Sequence, residues 1–203
     1  MRRILAQKLR RGLFDGTAVD PAAATRAVGT RRAHARVQEV AEDSLTLITD
    51  DGAALPLADG ATVLVTGAGG AAKLDVVVDE LISLGHAATA LNGPIPEDAA
   101  EAAAAVDTVL VLTSSSGFTT PASQVALAGS GTSVVHAAVR NPYDVVHVGE
   151  VAASLATYST ADVSLRALAG VLAGTVKPSG TLPVPIPTAD GSGEAFPIGH
   201  GLG

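Results

Sequence analysis

Cysteine and tryptophan are absent from this 203-residue chain, and three Phe with two Tyr make up the whole aromatic content, 2% of residues. Without Cys there is no disulfide, thiolate metal site or Cys nucleophile, and the redox compartment stays open. Modules that hold sugars or bases on stacked rings need more aromatics than this, which argues against a free-standing carbohydrate-binding or RNA-binding module. Long apolar runs are lacking too. None approaches the roughly 20 residues that a bilayer requires, and residues 1–14 have neither an unbroken hydrophobic centre nor a small-residue cleavage site, so no signal peptide is read there.

What is present is a core alphabet of Ala, Val, Leu and Ile within a 47% hydrophobic composition. That mix suits helices packed closely on a parallel sheet. The length fits one ordinary domain with extensions and falls short of an eight-stranded α/β barrel, which takes about 250 residues. The net charge of -7 is unevenly spread: residues 1–36 hold nine Lys and Arg against two Asp, while the remainder carries -14. Ile4, Leu5, Leu9 and Leu13 recur at helical spacing among Arg2, Arg3, Lys8, Arg10 and Arg11, which predicts an amphipathic helix in need of a partner, its own domain, a neighbouring one or a second copy in a homodimer. A basic arm can tether nucleic acid or a membrane, but the favoured reading is that it lies against acidic surface of its own or a neighbouring domain, with no nucleic acid and no membrane span expected.

Gly, Asp and Pro punctuate residues 12–21, so residues 1–30 read as a linker helix plus linker, and residues 31–203 as the globular domain with a Pro-rich C-terminal extension. Ala33, Val37, Val40 and Ala41 share one helical face, followed by a strand at 45–49. The pattern then becomes regular, with strands at 62–66, 86–91, 108–112 and 133–139 and a further one at 152–158. Between them lie helices at 73–84, with Leu74, Val77, Val78, Leu81 and Ile82 inward, at 97–106 and at 122–128, and a last helix at 162–173 that Ser159 or Thr160 would cap. This alternation predicts an open, mostly parallel α/β sheet with helices on both faces, a three-layer sandwich. Residues 177–187 are too rich in Pro for helix or central strand and are expected to wrap the surface.

Candidate chemistry is sparse. Gly67-Ala68-Gly69-Gly70-Ala71-Ala72 follows a strand and opens a helix, as a dinucleotide-binding turn does, but the next strand ends in Leu91-Asn92 where an acidic ribose partner belongs. A tight strand-to-helix turn is the favoured reading. Residues 113–117, Thr-Ser-Ser-Ser-Gly, could bind a phosphate, yet only Phe118 stands near to flank a flavin. There is no G-x-S-x-G elbow, and His34, His86, His136, His147 and His200 lack metal-ligand spacing. Glycosidic hydrolysis uses two facing carboxyl groups, and the loops where a sheet of this kind places them, 67–72, 113–121 and 140–150, supply only Asp144 and Glu150. No catalytic, cofactor-binding or metal residue is therefore assigned. The turn Arg140 to Asp144 is expected to be structural, with Pro142 fixing the backbone and Tyr143 packing on apolar surface.

From residue 139 onward several motifs keep a common order: Arg140-Asn141-Pro142-Tyr143-Asp144, Leu155-Ala156-Thr157-Tyr158-Ser159, Val171-Leu172-Ala173-Gly174, Pro178-Ser179-Gly180-Thr181-Leu182-Pro183 and Gly199-His200-Gly201-Leu202. Together they resemble the C-terminal domain of family 3 glycoside hydrolases. Arg3-Ile4-Leu5 with Leu13-Phe14-Asp15 resembles the helix leaving the barrel domain of those enzymes, and Ala41 to Leu57, ending in Leu55-Pro56-Leu57, their entry into the second domain. The Asn-Pro-Tyr-Asp segment is similar to the β-N-acetylhexosaminidase branch. In that branch the resemblance implies that both the nucleophilic Asp and the Asp–His acid/base loop sit on a catalytic barrel, none of whose motifs occurs in these 203 residues. The expectation is an accessory domain, inactive alone and without a cofactor; the alternatives are a stand-alone small-ligand or nucleotide-binding domain using 67–72 or 113–117, or a dimerising module.

Overall fold

The computed structural model describes residues 1–16, 20–92, 99–114 and 133–203. These fall into two compact units, Met1–Val37 and Gln38–Gly203. In the first unit, helix α1 (Arg2–Arg10) buries no residue, and Ile4, Leu5, Leu9 and Leu13 are all exposed. Its end is a tight C-terminal turn: the Leu13 amide donates back to the Lys8 carbonyl at 3.1 Å, with Gly12 at φ 67 supplying the left-handed step. A second helix, α2 (Pro21–Ala27), lies within the stretch read as linker. Asp20 explains it, since its carboxylate accepts the Ala22 amide at 2.9 Å while Pro21 occupies the first turn.

Helix α3 (Arg31–Ser44) leads into the second unit, but of its expected apolar face only Ala41 is buried; Val37 and Val40 are about half exposed. The sheet of the second unit has six strands in the order β1-β6-β5-β4-β2-β3, namely β1 (Thr46–Asp50), β2 (Thr62–Gly67), β3 (Ala87–Leu91), β4 (Thr108–Thr113), β5 (Ser133–Ala138) and β6 (Ala153–Ala156). All neighbours are parallel except β1 with β6. Helices α4 (Ala71–Ser83), α5 (Ala99–Ala104) and α6 (Asp162–Leu172) accompany it, giving the mostly parallel three-layer α/β architecture expected from the alternation. The helix read at 122–128, the loop at 93–96 and the first two residues of the helix read at 97–106 lie outside the described residues.

One face of the sheet is a continuous apolar layer. Val63, Val65, Leu110, Leu112, Val135, Ala137 and Leu155 meet Leu74, Val77 and Leu81 of α4 and Leu165 and Leu168 of α6 in a single cluster. Strand alternation sends the intervening residues to the other face, where two smaller clusters form, Leu64, Val109, Val111 and Val134 with Ala103 of α5, and Ile48, Ala138 and Ala156 with Val145, Leu182 and Ile186. Ile82, expected inward, is 53% exposed, because Leu74, Val77 and Leu81 already fill the inner arc of a helix this short. The cap of α6 also differs: Ala161 is its N-cap, and Ser159 Oγ accepts from the Ala161 amide at 3.0 Å, one turn too early to serve the helix itself.

The Pro-rich end does more than wrap the surface. It forms a small antiparallel pair, β7 (Ile186–Pro187) with β8 (Glu194–Phe196), and buries Leu182 and Ile186 completely. It also covers the edge strand. The Gly180 amide donates to the Leu45 carbonyl at 3.0 Å, the Leu202 amide to the Leu47 carbonyl at 2.9 Å, and His200 Nε2 to the Ile48 carbonyl at 2.8 Å. An edge that would otherwise present unpaired acceptors is thus occupied by the chain's own terminus. A side chain at 180 would collide with the Ser44 carbonyl, which accounts for glycine in the Pro178-Ser179-Gly180 motif.

Candidate functional site

In a parallel sheet the loops after the strands are the usual place for chemistry. The loop after β2 is the Gly67–Ala72 turn, and its first glycine answers to packing. A Cβ at Gly67, where φ is 107°, would strike the Leu112 carbonyl of β4, and that same carbonyl already accepts the Ala68 amide at 2.8 Å. One amide of the turn is therefore spent on the neighbouring strand. At the end of β3, the Leu91 carbonyl accepts the Thr66 hydroxyl at 3.0 Å. At the mouth of α4, Lys73 Nζ pairs with Asp162 Oδ1 at 2.6 Å, which holds the Asp162 carboxyl below its ordinary range.

After β4 only Thr113 and Ser114 of the 113–117 segment belong to the described residues. Thr113 is fully buried and joins a polar chain on the second face of the sheet. Its hydroxyl donates to Asp144 Oδ2 at 2.6 Å, its oxygen lies 2.8 Å from His136 Nε2, and His136 Nδ1 lies 3.2 Å from Ser154 Oγ. The Thr113 proton is committed to Asp144, so Nε2 carries the imidazole proton and Nδ1 accepts from Ser154. All four side chains are buried, with relative exposure of 1% or less. Burial pushes the His136 pKa down to about 3, which keeps the ring neutral and suits this donor order.

The elements explain the convergence. β4, β5 and β6 are consecutive in the sheet, and His136 pairs in register with Val111 on one side and Ser154 on the other. Asp144 comes from the 3-10 helix Pro142–Val146 that follows β5, where Pro142 occupies the first turn and Tyr143 packs with the Ile48, Ala138 and Val145 cluster. The sequence reading treated Asp144 as a loop carboxylate and His136 as an ordinary histidine; it did not connect them with Thr113 and Ser154. A signal was available: each of the three strand residues interrupts an apolar run on the face that Val134 and Ala138 also share.

Asp144, enclosed and hydrogen-bonded, cannot act on a substrate from this position. Glu150 is exposed. The two candidate carboxylates thus occupy opposite environments and do not form a facing pair. Glu150 instead borders a cavity of about 800 Å³ that also includes Asp51, Ser154, Thr188 and Phe196. Among the other histidines, His34 is exposed, His86 is buried beside β3, His147 is half-buried, and His200 serves the β1 edge while its ring lies 5.0 Å from that of Phe196. Among the described residues no group of three or more His, Asp or Glu could hold a metal, and no helix is long and apolar enough to cross a membrane.

No family model and no curated protein sequence matches the chain. Solved structures do. A family 3 β-N-acetylglucosaminidase from Paenibacillus is similar over 92% of this chain, with 26% identity and a TM-score of 0.71. The β-glucosidase from Listeria innocua, solved with isofagomine, is similar over 98% with 18% identity and a TM-score of 0.81, a likeness of fold alone. A fungal multi-domain family 3 β-N-acetylglucosaminidase is similar over 82% with 22% identity and a TM-score of 0.65. Over most of its length the chain is thus similar to one part of family 3 glycoside hydrolases, in line with the order of its motifs. It spans 38% of the Paenibacillus and Listeria chains and 20% of the fungal one.

Proposed function

We propose that this chain is the accessory domain of a β-N-acetylhexosaminidase-like enzyme acting on N-acetylglucosaminides, and that it supports a catalytic barrel carrying both reacting carboxyl groups. The observation that carries this reading is the likeness over 92% of the chain to a β-N-acetylglucosaminidase of which it covers 38%. The fate of its own carboxylates agrees. Asp144 is locked into a buried chain and so forms no facing pair with the exposed Glu150. Under this reading the exposed stripe of α1, Ile4, Leu5, Leu9 and Leu13, is the surface that the catalytic domain covers.

The polar chain then has a positioning role. It clamps the end of β4, the 3-10 helix after β5 and the middle of β6 to one another, so that loops on this side of the sheet are presented to the partner in one arrangement. The test compares the chain alone with the chain joined ahead of Met1 to a family 3 catalytic barrel. Using 4-nitrophenyl glycosides, the chain alone is expected to be inactive, and the joined protein to hydrolyse the N-acetyl-β-glucosaminide in preference to the β-glucoside. Turnover by the isolated chain that vanishes in Glu150→Gln would refute the accessory role. A joined enzyme preferring the β-glucoside would refute the substrate assignment alone.

A further inference from the structure

The 800 Å³ cavity lies in the second unit, between the strand ends at Thr49 and Ser133 and the β7–β8 pair. Its size is that of a small-molecule site, which runs from about 300 to 1,000 Å³. Phe196 and Val134 give it apolar wall, Thr49, Ser133 and Thr188 give it hydroxyls, and Asp51 and Glu150 give it carboxylates. Among the described residues no Lys, Arg or His lines it, and neither carboxylate has a hydrogen bond or ion pair. Two uncommitted acceptors with no counter-cation repel phosphates and carboxylates and favour a ligand rich in O–H and N–H donors. One half-buried ring beside valines suits the C–H face of a saturated, hydroxylated ring. The chain lacks the rows of aromatics on which carbohydrate platforms depend, so here the carboxylates and the single ring of Phe196 take over that task.

We propose that this cavity is a binding site for a pyranose bearing a free amino group, with Glu150 and Asp51 receiving its ammonium and hydroxyl protons and Phe196 lying against its ring. Ser154 lines the same cavity while donating to His136 Nδ1, so occupancy is felt by the buried chain. The inference uses only the cavity and stands whether or not the chain serves a glycosidase.

Titration of the whole chain with glucosamine, N-acetylglucosamine and glucose 6-phosphate, followed by NMR, tests it. Glucosamine is expected to shift the amides around 149–152 and the His136 ring nitrogens, and to bind about two- to fivefold more tightly than N-acetylglucosamine, the range of one exposed ion pair. Glucose 6-phosphate should not bind. Glu150→Gln should remove the preference for the ammonium, and Phe196→Ala should weaken both sugars alike while the β1 and β6 amides keep their dispersion. Equal binding of glucose 6-phosphate, a glucosamine affinity indifferent to Glu150→Gln, or no shifts at tens of millimolar glucosamine would each overturn the proposal.

Discussion

The two faces of the central sheet meet the same demand in different ways. On the α4 and α6 face the buried residues of β2, β4 and β5 are Val, Leu and Ala apart from Thr108 at one strand end, and the apolar ones join a single cluster. On the other face two apolar clusters are separated by Thr113, His136 and Ser154, capped by Asp144. Apolar packing tolerates many substitutions that conserve volume. A buried polar chain has no such latitude, because each missing member strands the next one's hydrogen bond. The first face therefore supplies stability in bulk, and the second ties particular elements together.

The sharpest way to probe this contrast is to damage each face in turn. Leu168→Ala, on the apolar face where Leu168 is 0% exposed, is expected to cost about 2–5 kcal/mol by opening a cavity, measured by urea denaturation. A loss under about 1 kcal/mol would mean that the α6 layer collapses around the gap instead of packing rigidly.

On the polar face, His136→Leu should cost about 1–3 kcal/mol, since Ser154 loses its acceptor and Thr113, still donating to Asp144, loses its donor. It should also change the pH dependence. The native ring has its pKa lowered to about 3, whereas the unfolded one titrates at the ordinary value of 6.5. As pH falls through that window the unfolded state takes up a proton that the native state refuses. Stability contributed by the neutral ring is thus complete above about pH 6.5 and is lost on acidification at up to about 1.4 kcal/mol per pH unit. Subtracting the His136→Leu profile from the wild-type profile isolates this slope; identical slopes would show that the ring is not buried neutral.

Tyr143→Ala tests the element that carries Asp144. Tyr143 packs beside the Ile48 and Val145 cluster, and its truncation should lower stability by about 1–2 kcal/mol without altering sugar binding at Glu150. Unchanged melting with altered binding would move the turn from scaffold to site. The smallest effect belongs to the outer edge of the apolar face. Ile82 is 53% exposed despite its helical register with Val78, so Ile82→Ser should stay within about 0.5 kcal/mol of wild type.

Much of this molecule was legible in one dimension. Alternation and β-branching place all six central strands to within a few residues, and the order of motifs from Arg140 to Leu202 points to the family 3 glycoside hydrolases that the chain resembles in structure. Those signals are local, arising from strand pleat, helix period and the backbone demands of Gly and Pro. The candidate site was not legible in the same way, because Thr113, His136, Asp144 and Ser154 are separated by 8 to 23 residues and share no short spacing.

By itself the sequence determined the α/β class, the parallel run of strands, the lack of thiol and ring chemistry, and the basic amphipathic α1. Tertiary structure alone decided that Gly67 and Gly180 are small because a neighbouring carbonyl lies where a side chain would go. It also decided that the Pro-rich terminus closes the β1 edge, that Asp144 is buried while Glu150 opens onto a cavity, and that three polar residues on adjacent strands join into one chain. The physical reason is common to all of these. Each depends on which strands lie side by side, and that order is set by how crossover connections pack on the sheet, a nonlocal matter that residue periodicity does not encode.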